Sequence, residues 1–167
     1  RRTNPGLGGH IVDPSLTYKV LGAASRSSGD FALEEAFMRK QWENGISIQV
    51  GQQRLPFARE ESMSSSLQLA VERSLINQIF GQEFSQGVVL AWSGEEVRLF
   101  GAFSDGIASR NSEFGEPKRI TPTGFPNSTT RGESDYAVTG RMEWLASGTW
   151  SQFRDFTSPE GSEFGIM

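Results

Sequence analysis

The chain has 167 residues, 36% of them hydrophobic, with 19 Gly, 12 Phe, no Cys and a formal net charge of −4. The lack of cysteine excludes a disulfide framework and thiolate chemistry, and the weak acidity, with no run of Lys or Arg, offers nothing to nucleic acid. No stretch approaches the 18 or so consecutive apolar residues of a membrane-spanning helix.

Glycine and aromatics with few Leu or Ile suit a sheet protein with many turns better than a helical bundle. Residues 1–30 lack the basic, apolar and small-residue pattern of a signal peptide, so an exported form is mature or cut from a longer precursor. Gly8-Gly9 beside His10 reads as a flexible approach to the first strand, at about Thr17–Ser25. A second strand covers Phe31–Trp42, where both faces mix apolar and charged residues and the inside cannot be assigned. Next, Ile46, Ile48 and Val50 oppose Ser47, Gln49 and Gly51, with the period of two of a strand that has unlike faces. Val88, Leu90 and Trp92 oppose Val89, Ala91 and Ser93. Val97, Leu99, Gly101 and Phe103 oppose Arg98, Phe100, Ala102 and Ser104. The clearest alternation is Asp135–Leu145, with Tyr136, Val138, Gly140, Met142 and Trp144 on one face and Ala137, Thr139, Arg141, Glu143 and Leu145 on the other. A further strand begins near Trp150 and is soon interrupted by Pro159 and Gly161.

The connections carry more information than the strands. Asn44-Gly45 reads as a two-residue type I′ hairpin turn, because both positions tolerate positive φ. Ser93–Glu96 and Ser147-Gly148 are similarly tight. Between them lie long connections at 56–85 and 106–134. Alternate turns of an antiparallel meander lie at opposite ends of the sheet, so short turns gather on one rim and long loops on the other, as in an outer-membrane barrel. Trp42, Trp92 and Trp144 sit near strand ends beside the short turns, where an aromatic girdle belongs. The strands come close to the roughly 9–11 residues a tilted membrane strand needs.

Val50–Ser74 then contains Gly51-Gln52, Arg54, Pro56-Phe57, Glu60-Glu61 and Glu72-Arg73-Ser74. Gly101-Ala102-Phe103 precedes Asp105-Gly106, and Arg141-Met142-Glu143-Trp144 follows later. In that order the segments resemble the phosphate-selective porin family of Gram-negative outer membranes. The resemblance covers the chain from about Ile11 onward. It implies an all-β, antiparallel transmembrane β-barrel of about sixteen strands, assembling as a homotrimer, with a loop folded into the lumen. Since only about six or seven strands are legible, and an open edge in lipid leaves backbone groups unpaired, residues 1–167 are expected to form part of such a barrel.

In a channel, selectivity comes from the side chains that line the pore. Lys19, Arg98, Arg141 and Glu143 fall on the polar faces and are the pore-lining candidates. The connection 56–85 is the candidate constricting loop, carrying Arg54 at its root and Arg59, Glu60, Glu61, Glu72 and Arg73 within it. Arg59, Glu60 and Glu61 are expected to tie it to the wall, and Leu67, Val71, Leu75 and Gln78 suggest a short helix near Ser66–Phe80, capped by Ser64–Ser66. The solutes are small and hydrophilic, with phosphate or another anion as the family expectation. Against it, acids outnumber bases 20 to 16. No catalytic constellation, cofactor or metal site emerges: His10 is the sole histidine, and the acids are scattered. A complete eight-stranded barrel serving as anchor or adhesin, and a soluble β-sandwich binding module, are the competing readings. The first would pass little current. The second would need no detergent.

Overall fold

A computed structural model describes residues 2–25, 29–62, 74, 84–107, 109–116, 118–120, 132–153 and 165–167. Its strands are β1 (Arg2–Thr3), β2 (Gly6–Ile11), β3 (Asp13–Ser25), β4 (Phe31–Gln41), β5 (Ile46–Arg54), β6 (Phe84–Ser93), β7 (Val97–Ser104), β8 (Lys118–Ile120), β9 (Gly132–Ser134) and β10 (Ala137–Trp144). A four-residue helix, α1 (Arg59–Ser62), follows β5. Eight strands form one antiparallel sheet in the order β1-β3-β4-β5-β6-β7-β10, with β2 also paired to β3. Thus β1 and β2 run along the same side of β3 as one interrupted edge strand. The sheet is open, and β8 and β9 form a separate hairpin within the last long connection.

Three expectations need correction. Residues 6–11 are a strand rather than a flexible approach, with Gly9 opposite Tyr18, whose ring lies against the glycine backbone. The turn after β4 is not type I′. Among its residues only Gly45 has positive φ, +82°. Trp42 N–H donates to Ile46 O and Gly45 N–H to Trp42 O, which makes a three-residue loop ending in a left-handed glycine. Residues 149–153 form a turn, not a strand. There Trp150 Nε1 donates to Glu95 O at 2.7 Å, folding this segment back over the sheet end. The helix expected near Ser66–Phe80 lies outside the described residues, apart from Ser74.

The two faces of the sheet are inverted relative to a water-soluble protein. Cross-strand register lines up Tyr18, Met38, Val50, Val88, Phe103 and Val138 on one face. Ile46, Trp92, Leu99 and Met142 form a second row nearer the tight turns. Most of these side chains are exposed, reaching 70% at Met142 and 76% at Val138. A band of this extent is what a lipid-facing wall presents, and a sandwich would bury it under a second sheet. Trp42, Trp92 and Trp144 border the band at the tight-turn rim, all exposed. Phe103 and Tyr136, stacked at 6.1 Å, border it at the other. Lys40 is the exception on this face, and its ammonium escapes to Asp13 at 3.1 Å on the tight-turn rim, the behaviour of a long cation that snorkels out of an apolar layer.

The opposite face buries polar groups: Ser47, Gln53, Ser85, Ser104, Thr139 and Glu143 are all below a tenth exposed. A small apolar patch lies among them. Leu55, immediately after β5, is fully buried with Val89 and Ala102. It anchors the root of the connection 56–85 against the polar face. Leu55→Ala should therefore cost about 2–4 kcal/mol, read as a lower urea midpoint for the lipid-reconstituted protein. An unchanged midpoint would show that the root is not held there.

Candidate pore-facing site

Register decides which charges share the polar face. Lys19 stands opposite Phe37, and Thr17 opposite Arg39. Arg98 stands opposite Glu143 on β10, with Arg141 two pairs further along and on the same face. The strands thus bring Lys19, Arg39, Arg98 and Arg141 to this face with two carboxylates, Glu35 and Glu143. Glu34, beside Glu35 in a β-bulge of β4, receives instead a hydrogen bond from Asn4 Nδ2 at 3.0 Å.

Glu143 is the hub. Its Oε1 lies 3.1 Å from Arg59 Nη1 and 3.4 Å from Arg141 Nε, with only 8% of its side chain exposed. Arg59 comes from α1, so the connection after β5 turns back over the polar face. It also meets Met167 Sδ at 3.0 Å. Aromatic rings hold two of the guanidinium planes: Arg98 Cζ lies 4.0 Å above Trp150 and Arg141 Cζ 4.5 Å above Phe100. Stacking of this kind fixes a guanidinium while leaving its N–H edge free to donate. A second, smaller cluster joins Lys19 to Glu35, which also lies 4.0 Å from Arg54 Nε. Arg54 in turn stacks over Phe84 at 4.8 Å.

The remaining loop candidates divide. The Glu60 carboxylate accepts from Ser74 N–H at 2.7 Å and from the Ser74 hydroxyl, joining two parts of the connection. The side chain of Glu61, and all of Glu72 and Arg73, lie outside the described residues. Sequence reading missed Arg39, because its strand mixes charge on both faces. It also missed the contribution of Gln52 and Gln86. Gln52 Oε1 accepts from Asn111 N–H at 2.9 Å, and Gln86 Nε2 donates to Ser112 O at 2.7 Å. These bonds fasten residues 109–112 across β5 and β6 beyond the apolar band. Neither glutamine carries a signal of its own beyond the Gly51-Gln52 pair.

An antiparallel sheet with an exposed apolar band, aromatic borders and a buried, charged opposite face defines a wall of a transmembrane β-barrel. The family model for phosphate-selective porins O and P matches residues 15–147, and the chain belongs to that family, one of outer-membrane channels rather than enzymes. No curated protein and no solved structure matches significantly.

Proposed function

We propose that this chain supplies part of the wall and the constriction of an outer-membrane diffusion channel that favours small anions, phosphate among them. The carrying observation is the charge on the lumen face. Arg59, Arg98 and Arg141 surround the single carboxylate of Glu143, and Arg39 and Lys19 extend the cationic surface. The whole-chain excess of acids does not bear on it, since Glu43, Glu95 and Glu96 sit at the tight-turn rim and Glu113, Glu116 and Asp135 in the long connections. Arginine suits oxyanions because its planar fork donates two parallel hydrogen bonds. On this reading the connection 56–85 narrows the pore, further strands close the sheet, and the barrel assembles as the homotrimer that the family resemblance implies.

The test is a reversal potential for the channel purified from outer membranes and placed in a planar bilayer across a KCl gradient. The expected sign is that of chloride over potassium, with the current reduced by added phosphate as it occupies the arginines. Strong preference for potassium would sink the proposal.

A further inference from the structure

The geometry points to Glu143 as a latch: its carboxylate holds the constricting connection against the wall through Arg59, beyond any role as counter-charge to its strand neighbours. This inference rests on the channel reading above. Three features of the site carry it. One oxygen, Glu143 Oε1, serves both a loop cation (Arg59 Nη1, 3.1 Å) and a wall cation (Arg141 Nε, 3.4 Å). Arg98 lies directly across the strand pair, so the wall already supplies Glu143 with two cations. A neutralising role alone would therefore not require Arg59. Finally, the loop root is fixed four residues earlier by buried Leu55, while α1 is only one turn long and cannot hold itself in place. The Arg59 contact is a polar point at which that turn is fastened to the wall.

Two results should part a latch from a counter-charge. Loss of either partner frees the α1 segment, so Glu143→Gln and Arg59→Gln should have the same effect on loop mobility. The two have opposite effects on charge: Glu143→Gln makes the lumen more cationic and Arg59→Gln less.

The experiment is hydrogen exchange of the peptide covering 56–62 in the detergent-solubilised protein, alongside bilayer recording. Each single variant should raise exchange in that peptide about tenfold, the loss expected for one charge-assisted bond, and leave β10 unchanged. The double variant should exchange no faster than either single one, and the reciprocal swap Arg59→Glu/Glu143→Arg should restore protection. Open-channel noise should rise in both single variants, with the anion preference strengthened by Glu143→Gln and weakened by Arg59→Gln. Unchanged exchange, or additive effects in the double variant, overturns the latch. Arg59→Gln leaves the wall intact and carries the test if Glu143→Gln does not fold. Should the unaltered protein pass no current while the exchange results hold, the channel reading fails and the latch stands.

Discussion

Leu90→Arg destabilises the folded barrel wall by about 2–4 kcal/mol, the cost of placing a guanidinium in the middle of a lipid-facing band. Leu90 is 55% exposed and lies between the row of Val50 and Val88 and the row of Ile46 and Trp92. Lys40, in the same row through Ile48, is received by Asp13 at 3.1 Å. The measurement is the urea unfolding midpoint in lipid vesicles, followed by tryptophan fluorescence. Gln49→Arg supplies the comparison, since that residue lies on the polar face of the neighbouring strand, opposite Val89, and should be nearly neutral. Equal effects at the two positions would mean that the faces have been assigned the wrong way round.

The second large effect belongs to Gly51. Its φ is +132°, and an added Cβ would lie 2.2 Å from the carbonyl oxygen of Ala36 on β4. Both the dihedral and the contact are backbone properties, so no side chain can move to relieve them. Gly51→Ala should cost about 3–5 kcal/mol and should reduce the fraction of protein that keeps its folded, faster mobility on an unheated denaturing gel. Gly101→Ala is the control: that glycine has ordinary φ and nothing within 4 Å of the added carbon. Loss of folding in both variants would point to a general intolerance and not to the close approach at β4.

The same positions explain how much could be read from the sequence. β6, β7 and β10 were legible because one face is apolar and the other polar, so each side chain reports its side. β4 was not. Phe31 and Leu33 pair with Ala24 and Gly22, whereas after the bulge it is Ala36, Met38 and Lys40 that share the apolar face. The extra residue at Glu34 moves the outward set from odd to even numbers, and averaging over the whole strand blurs both faces. β2 was missed for a different reason. Gly6, Gly8 and Gly9 have no side chains with which to mark a period. The tight turns after β4 and β6 and the long connections were placed correctly, whereas Ser147-Gly148 leads to no further strand among the described residues and Ser147 pairs with Ile166. Asn44-Gly45 suggested the wrong turn type, because a sequence cannot say whether one or both residues take positive φ.

The site was legible only in part. Alternation put Lys19, Arg98, Arg141 and Glu143 on the polar side, where register now brings Arg98 and Glu143 opposite one another. The expectation that Arg59, Glu60 and Glu61 tie the connection to the wall did not distinguish among them. Of the charges in the 56–62 segment, Arg59 meets the wall while Glu60 turns to Ser74. Spacing along a connection cannot separate these outcomes, since they depend on how the backbone bends after Leu55. Trp150 illustrates the same point: its ring covers Arg98 instead of starting a strand.

The tie between Arg59 and Glu143 spans 84 residues of sequence, whereas from β3 to β7 each strand pairs with the next strand in the chain. Hairpins close over short distances and form early, and a contact across so long an interval must wait for both ends to be in place. Among the described strands of this sheet, β10, which carries Glu143, comes last in the chain. In the proposed channel the strands from β5 to β7 and β10 must therefore be in place before the constriction is seated, so the nascent pore passes through a stage in which it is wider than in the finished channel.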